Sequence, residues 1–332
     1  MSDLQETLRR YGELVEAYLE AEVPKGRRDF LSEGVWYQFD SGGKRLRPAL
    51  CLMTCEALNG DARPAVPFAL ATEILHNFLL VHDDIEDGDT MRRDKATLWA
   101  KFGVPNALNV ADYLIARAYR LIFEAPLPDE IKMRLGRAYS LAFERTVEGQ
   151  ALDINLRGHP EVDLETYFRI VQLKTAYYLA LTWVGGAIVA GVREEELGPF
   201  WELGECLGPA FQIRDDIIDL TEGKGRGGEI GCDIREGKPS IFFAYALERR
   251  AGSEAERTRL IEIVRRAREE TTAADIAWAI AFFREHGAVA FAEEEARRLV
   301  ERADAVLDRL PLGQEGCERF RKVARFIVDR KF

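Results

Sequence analysis

The sequence predicts an all-α fold, with one large helical bundle around a central cavity. Nearly every segment of the 332 residues places apolar side chains three and four positions apart, as on one face of a helix. We find no alternating strand pattern of useful length and no stretch with the composition of a linker. Residues 1–332 are therefore predicted to form a single domain, and 47% hydrophobic residues suffice for one large core.

Helix start and stop signals divide the chain. The first predicted helix, Leu4–Ala21, carries an amphipathic stripe, and the second, Asp29–Phe39, is ended by a serine and two glycines. Pro48 opens the third helix, Ala49–Leu58, because proline fits the first turn of a helix. The later helices begin near acidic residues or proline, and they are Pro64–Asp87, Pro105–Phe123, Asp129–Leu156, Asp163–Ala190, Glu194–Leu220, Ser240–Arg250, Ala255–Glu269, Ala273–His286, Ala290–Leu310 and Glu315–Val328.

Charge and cysteine content narrow the class of protein. The net charge of −11 excludes a basic nucleic-acid surface and disfavours binding to anionic membranes. Five cysteines without a C-x-x-C pair indicate reduced thiols in a cytoplasmic protein. The polar, acidic N-terminus is unlike a signal peptide. The uncharged segment Thr175–Val192 is at the lower limit of length for a membrane span, and we expect it to be a buried core helix instead.

An acidic run follows the apolar segment 68–81. Asp83, Asp84 and Asp87 occupy positions i, i+1 and i+4, so a helix places the first and last carboxylates one above the other. Like charges this close repel, and an apolar helix offers nothing to compensate them. A hard cation does, because Mg²⁺ takes carboxylate oxygens and completes its shell with water and substrate phosphates. Glu86 and Asp89 are expected to be solvated acids.

The same spacing returns 132 residues later as Asp215, Asp216 and Asp219, again beside an apolar helix. A single acidic cluster is usually a helix end in contact with water. Two clusters of identical spacing instead indicate two facing sets of carboxylates that hold Mg²⁺ ions with a polyphosphate between them. The two helices would then end at the same mouth of the bundle.

Basic residues provide candidate sites for a second anion. Lys44, Arg45 and Arg47 follow a glycine turn just before a helix, and helix N-termini bind anions. His76 precedes Asp83 by seven residues, about two helical turns on the same face. Lys174 lies beside Thr175 in a largely apolar helix, where an unpaired charge would be costly, so we expect an anionic partner.

Taken in chain order, the Gly-Gly-Lys-Arg-Leu-Arg-Pro stretch, the first Asp-Asp-x-x-Asp run, Lys174-Thr175 and the second Asp-Asp-x-x-Asp run resemble the trans-isoprenyl diphosphate synthases, or polyprenyl synthetases. The motifs cover residues 30–250, and the likeness extends more weakly over the whole chain. The resemblance implies the isoprenoid synthase type of helical bundle, a homodimer, and condensation of isopentenyl diphosphate with an allylic diphosphate. It implies no nucleic-acid partner and no membrane span.

The resemblance also implies roles for individual residues. Asp83 and Asp87 would bind two Mg²⁺ ions and Asp215 a third, while Asp84, Asp216 and Asp219 would act through water or support these ligands. Isopentenyl diphosphate would be bound by Lys44, Arg47, His76 and Arg93. The allylic diphosphate would be bound by Arg92, Lys174, Thr175, Gln212 and Lys238, and Lys174, Thr175 and Gln212 would also stabilise the allylic cation.

One position departs from the family pattern. The glycine-rich stretch Glu222–Lys238 is predicted to be a mobile loop, and many family members have lysine five residues before its aspartate, Asp233. This chain has Gly228 there. Lys224 or Arg226 could substitute from the same loop.

Product length should depend on residues just below the acidic mouth. Phe78 and Leu79 lie five and four residues before Asp83, roughly one turn down the helix. In the resembled family a single aromatic residue at the fifth position indicates geranylgeranyl diphosphate (C20), and farnesyl diphosphate (C15) is the second candidate product.

Two different functions share part of this pattern. A class I terpene cyclase has the first acidic motif and an all-α core, and a non-catalytic synthase subunit has the fold without the activity. The intact second Asp-Asp-x-x-Asp run at Asp215 and the basic isopentenyl set argue against both functions.

Overall fold

Long helices build the molecule, as the periodicity predicts. The computed structural model describes residues 3–23, 25, 29–42, 45–221 and 229–329. The α-helices are α1 Asp3–Glu22, α2 Phe30–Phe39, α3 Leu46–Asn59, α4 Val66–Glu86, α5 Leu98–Phe102, α6 Val104–Phe123, α7 Asp129–Asn155, α8 Leu164–Val171, α9 Tyr177–Val189, α10 Gly198–Asp219, α11 Cys232–Arg235, α12 Ile241–Glu248, α13 Glu254–Arg265, α14 Ala273–Glu285, α15 Ala288–Leu307 and α16 Gly313–Asp329. The all-α prediction is confirmed.

Two apolar clusters form the interior, and α10 contributes to both. Its N-terminal half, with Phe200 and Leu203, joins the larger cluster formed mainly by α1–α7 and α9. Its C-terminal half, with Ile213 and Ile217, joins the cluster formed mainly by α8 and α12–α15. Because the second acidic run ends this helix, its position is fixed by packing on both sides.

Side-chain caps set several helix starts. Asp29 accepts a hydrogen bond from Ser32 N at 2.9 Å at the start of α2, and Asp163 accepts one from Thr166 N at 2.8 Å at the start of α8. Ser253 opens α13 with a capping box, in which cap and third residue satisfy each other's backbone N–H groups. These polar residues begin each helix at the point where the apolar periodicity starts.

The structure differs from the predicted elements most clearly in four places. The single helix predicted over Asp163–Ala190 is interrupted by a π-helical turn at Gln172–Ala176. The helix predicted over Ala255–Glu269 ends at Arg265, and a 3₁₀ turn follows. The predicted loop Glu222–Lys238 contains the short α11, while residues 222–228, including Gly228, lie outside the described residues.

The fourth difference is a two-stranded hairpin after the first acidic run. Strand β1, Met91–Arg92, pairs antiparallel with β2, Lys95–Ala96. The turn residues Arg93 and Asp94 have φ of 51° and 59°. Two-residue strands are too short to produce an alternating pattern, so the sequence gives no strand signal here.

Among the described residues, one helical stretch, Arg63–Glu86, has the length and composition of a membrane span. However, 83% of the 18-residue apolar stretch within this helix is buried inside the protein, as in the core helix of a bundle. The segment Thr175–Val192, singled out from the sequence, also packs inside, and most of α9 is buried. All five cysteines are free thiols, and Cys51, Cys55, Cys206 and Cys232 are buried.

Candidate active site

The first acidic run lies at the C-terminal end of α4. Asp84 is buried, with 2% of its surface exposed, and accepts a hydrogen bond from Arg92 Nε at 2.5 Å. The Trp99 indole donates to the Asp84 and Asp89 carbonyls at 2.8 and 2.9 Å and so fixes the chain as it leaves the helix. Burial raises the pKa of Asp84 to about 6, against the opposing effect of Arg92.

Asp87 is held by cations from two other parts of the chain. Its carboxylate accepts from Arg157 Nη2 at 2.6 Å and from Lys238 Nζ at 2.8 Å. Burial opposes ionisation, but these cations outweigh it and lower the pKa of Asp87. Arg268 donates to the Asp87 carbonyl, and also to Asp89 Oδ1 at 3.1 Å. Asp89, expected from the sequence to be solvated, is therefore buried and paired.

The second acidic run ends α10 and organises the segments around it. Asp216 accepts from the Tyr167 hydroxyl at 3.0 Å, from Gln212 Nε2 at 3.0 Å and from Ile241 N at 3.3 Å. Asp219 accepts from Asp233 N at 3.1 Å. These two carboxylates thus attach α8, α11 and α12 to the end of α10. Asp215 is only half-buried.

The two acidic runs act on a common group, the Tyr178 hydroxyl on α9. Burial raises the pKa of Tyr178, and the carboxylates of Asp83 and Asp215 raise it further, against the lowering effect of Arg47. Lys238, in the segment that follows the second run, also reaches Asp87 of the first. The carboxyl ends of α4 and α10 therefore border one site.

Lys174 and Thr175 lie in the π-helical turn and contact different neighbouring helices. Lys174 Nζ donates to Asp153 Oδ2 on α7 at 2.7 Å. The Thr175 hydroxyl donates to Gln212 Oε1 on α10 at 3.4 Å. Burial opposes the charge on Lys174, but Asp153 and then Asp83 raise its pKa, so the ammonium group stays protonated.

Three of the four residues expected at the isopentenyl site fall on the described part of the chain, and two of them meet at Tyr178. Arg47 donates to the Tyr178 hydroxyl and lies 4.5 Å above its ring. His76 stacks on that ring at 6.2 Å with an interplanar angle of 18°. Burial and nearby arginines, first Arg47, hold the pKa of His76 well below its usual value, so the imidazole is neutral. Arg93 donates to the Gly42 carbonyl, while Lys44 lies outside the described residues.

Phe78 lies below the acidic run inside the bundle. The residue is 8% exposed, and its ring packs edge to face on Phe143 of α7 at 5.2 Å and against His82 at 4.5 Å. Leu79 is partly buried against the same core. An aromatic side chain from each of two helices thus packs in the core one turn below Asp83.

Sequence reasoning missed several residues of this site. Asp153 near the end of α7 pairs with Lys174, and Arg157, four residues later and just past the end of that helix, pairs with Asp87. Tyr178 is under the electrostatic influence of both acidic runs. A charged pair at helical spacing within a largely apolar segment is a signal that could have found the first two. Nothing in the sequence distinguishes Arg268 from the many other arginines of the C-terminal helices.

The residues at this site fit a hard divalent cation. Asp83 makes no ion pair within the described part of the chain, and its charge raises the pKa of Lys174 and of Tyr178. Among the described residues no three carboxylate, histidine or cysteine side chains already form a metal cage. Mg²⁺ suits such an arrangement because it binds one or two carboxylates and takes its other ligands from water and phosphates.

An α-helical bundle with two acidic helix ends and buried cations around them is the arrangement of an enzyme that handles diphosphates with the aid of divalent metal. Comparison with known proteins identifies the family. The polyprenyl synthetase family model matches residues 28–282. The short chain isoprenyl diphosphate synthase of Methanothermobacter thermautotrophicus is 31% identical over 332 residues, 100% of each chain. The geranylgeranyl pyrophosphate synthase of Geoglobus acetivorans is 34% identical, with 89% of this chain and 88% of that one covered.

Solved structures agree with this result. The geranylgeranyl pyrophosphate synthetase of Pyrococcus horikoshii superimposes with a TM-score of 0.89 at 30% identity, covering 99% of this chain and 98% of that one. A geranylgeranyl pyrophosphate synthase from Corynebacterium glutamicum, complexed with isoprenyl diphosphate and magnesium, gives 0.84 at 26% identity, with 98% of each chain covered. The present chain belongs to the polyprenyl synthetase family. It is a trans-prenyltransferase, an enzyme of a magnesium-dependent family that uses isoprenyl diphosphates.

Proposed function

We propose that this prenyltransferase condenses isopentenyl diphosphate with an allylic diphosphate and releases geranylgeranyl diphosphate. The observation that carries the C20 product is the position of Phe78, buried one turn below Asp83 and braced by Phe143. A growing chain that extends down from the acidic mouth meets this ring. Farnesyl diphosphate is the second candidate product.

Each diphosphate has its own set of residues in this proposal. Arg47, His76 and Arg93 hold isopentenyl diphosphate, together with Lys44. Arg92, Lys174, Thr175, Gln212 and Lys238 bind the allylic diphosphate. Arg47 and His76 meet on Tyr178, while Lys174 and Lys238 contact the carboxylates of Asp153 and Asp87. The neutral imidazole of His76 serves as a hydrogen-bond partner and adds no charge.

Bond formation follows from this arrangement. Asp83, Asp87 and Asp215 would hold magnesium, three ions in the full site, and the bound metal would supply the positive charge that stabilises the leaving diphosphate when the allylic C–O bond breaks. The Thr175 hydroxyl and the Gln212 carbonyl oxygen lie 3.4 Å apart, and both present oxygen to the developing cation. The double bond of isopentenyl diphosphate attacks that cation in a 1′-4 addition, and the released diphosphate takes the proton that is lost. Asp84, Asp216 and Asp219 hold the surrounding segments in place or act through water.

Substitution of Phe78 tests the product length. We expect Phe78→Ala to lengthen the product beyond C20, as measured by chromatography of the dephosphorylated alcohols with dimethylallyl, geranyl and farnesyl diphosphates as primers. The matched control is Phe68→Ala, a buried phenylalanine ten residues earlier on the same helix. Both variants should lose about 3–5 kcal/mol of stability, but only Phe78→Ala should change chain length. An unchanged product from Phe78→Ala would contradict the floor assignment.

We further propose a cytoplasmic homodimer. Apolar side chains on α6 and α7 remain 37–50% exposed, namely Leu108, Phe123, Met133, Leu141 and Val147. Adjacent helices that expose such stripes usually bury them against a partner, and a second copy supplies an identical surface. The chain mass is 37.6 kDa, so light scattering should give twice this value. The double variant Met133→Glu, Leu141→Glu should shift it toward the monomer, and a monomeric wild type would contradict the proposal.

A further inference from the structure

The turn that carries Lys174 and Thr175 has unusual backbone geometry. Helix α8 continues without a break through the π-helical residues Gln172–Ala176 into α9. A π-turn contains one residue more than an α-turn, and such insertions occur often at functional sites. One extra residue rotates the positions on either side by about 100° relative to an uninterrupted helix. From this turn Lys174 and Thr175 contact different helices, α7 and α10, while α9 keeps its apolar surface in the core.

Two neighbouring helices make room for this wide turn with glycines. On α7, a Cβ atom at Gly149 would lie 2.2 Å from Lys174 N and 2.8 Å from Leu173 C. On α10, a Cβ at Gly208 would lie 2.5 Å from Ala176 Cα. These neighbours are backbone atoms, which cannot rotate away as a side chain can. Any larger residue at either glycine must displace the π-turn itself.

One helical turn after each glycine comes a residue that binds a side chain of the π-turn. Asp153, which accepts from Lys174, comes four residues after Gly149 on α7. Gln212, which accepts from Thr175, comes four residues after Gly208 on α10. Both helices thus contact the turn in the same way, with a close approach of backbone to backbone and a polar side chain one turn nearer the acidic mouth.

We propose that Gly149 and Gly208 are positioning residues for the prenyl transfer reaction. They form a two-sided notch that seats the π-turn and thereby aims the Lys174 ammonium and the Thr175 hydroxyl at the allylic diphosphate. The inference rests on the roles proposed above for Lys174 and Thr175. The glycines touch neither substrate, and their effect on the rate passes through the turn.

The experiment compares Gly149→Ala and Gly208→Ala with a control on the same helix as the first, Gly136→Ala. A Cβ at Gly136 would meet only the ring of Phe123 at 2.9 Å, and that ring is 46% exposed and can turn aside. In all three variants alanine should favour the helix itself. An error of about 1 Å in a catalytic group can lower the rate about 100-fold. We expect that loss of kcat, with a raised KM for the allylic diphosphate, in the two notch variants only.

Two further readouts separate positioning from simple packing. The KM for isopentenyl diphosphate should stay within about twofold of wild type, because the residues proposed for that site, Arg47 and His76, belong to α3 and α4 and not to the helices that carry the two glycines. In a Lys174→Ala background, Gly149→Ala should add little further loss, since residues that act through one group are not additive. Equal changes in both KM values, full additivity, or loss of folded structure in both notch variants by circular dichroism would overturn the proposal.

Lys174→Ala measured alone distinguishes the two levels of inference. If it leaves the allylic KM and kcat unchanged, the role proposed for Lys174 fails. If it impairs both while Gly149→Ala and Gly208→Ala behave like Gly136→Ala, the role of Lys174 stands and only the notch is wrong.

Discussion

Replacing Asp153 by asparagine should destabilise the protein through Lys174. The two side chains are 9% and 24% exposed, and their ion pair is 2.7 Å long. Asparagine keeps the shape of the aspartate but leaves the ammonium without this partner. Breaking one side of a buried ion pair costs about 3–5 kcal/mol, and exposure of Lys174 to water places this pair at about 3 kcal/mol. For a chain of this length, that corresponds to a Tm lower by about 4 °C.

The loss should also depend on pH. Burial lowers the pKa of Lys174, and in the wild type Asp153, followed by Asp83, more than compensates. A folded-state pKa raised above the unfolded value stabilises the protein at all pH values below the unfolded value, and this stabilisation is lost only as pH rises through the folded pKa. Without Asp153 the pKa should fall. The variant would then lose the protonated ammonium at a lower pH than the wild type does.

Scanning calorimetry between pH 7 and pH 9 measures both effects, and steady-state kinetics over the same range should show the rate of Asp153→Asn declining with pH. Glu144→Gln, an exposed change on the same helix, is the control and should be neutral within about 0.5 kcal/mol. In the double variant Asp153→Asn, Lys174→Met, much of the stability should return, because no unpaired charge remains. A double variant whose loss of stability equals the sum of the losses in Asp153→Asn and Lys174→Met would refute the argument.

Two other predictions concern buried polar contacts. Glu73→Gln breaks the buried 2.9 Å pair with Arg45 and should lower the free energy of unfolding by about 3 kcal/mol in urea titrations. Glu16 is the exposed second partner of Arg45, and Glu16→Gln should cost under about 0.5 kcal/mol. Equal losses of stability in Glu73→Gln and Glu16→Gln would show that burial does not determine the strength of these ion pairs. Tyr178→Phe removes the hydroxyl that accepts from Arg47. It should raise the KM for isopentenyl diphosphate by up to about tenfold while the allylic KM stays constant, and the reverse pattern would contradict the assignment of that site.

Local spacing is the part of this site that could be predicted from the sequence. The acidic runs at Asp83 and Asp215 each lie within one helical turn, so the helix alone determines their geometry. The helices themselves follow from apolar periodicity and from caps such as Asp163. The helical class of the fold and the presence of two acidic helix ends needed no knowledge of tertiary contacts.

Contacts between distant segments were not accessible in this way. Arg157 and Arg268 reach the first acidic run from 70 and 181 residues away, and no periodicity encodes such a distance. The π-turn was missed because one inserted residue hardly disturbs an apolar pattern in a helix buried on all sides. The pairing of Phe78 with Phe143 depends on how α4 and α7 are placed relative to each other, which only packing decides.

The hairpin at Arg93 and Asp94 affects how this enzyme could be engineered. A two-residue hairpin turn with positive φ at both central positions favours Asn-Gly, and each bulkier residue there lowers the stability of the fold by about 1 kcal/mol. A thermostability screen that scores only folding would therefore select Asn-Gly and discard the Arg93 guanidinium proposed for substrate binding. Selection for heat resistance should favour Asn-Gly in this turn, whereas selection for turnover should keep Arg93.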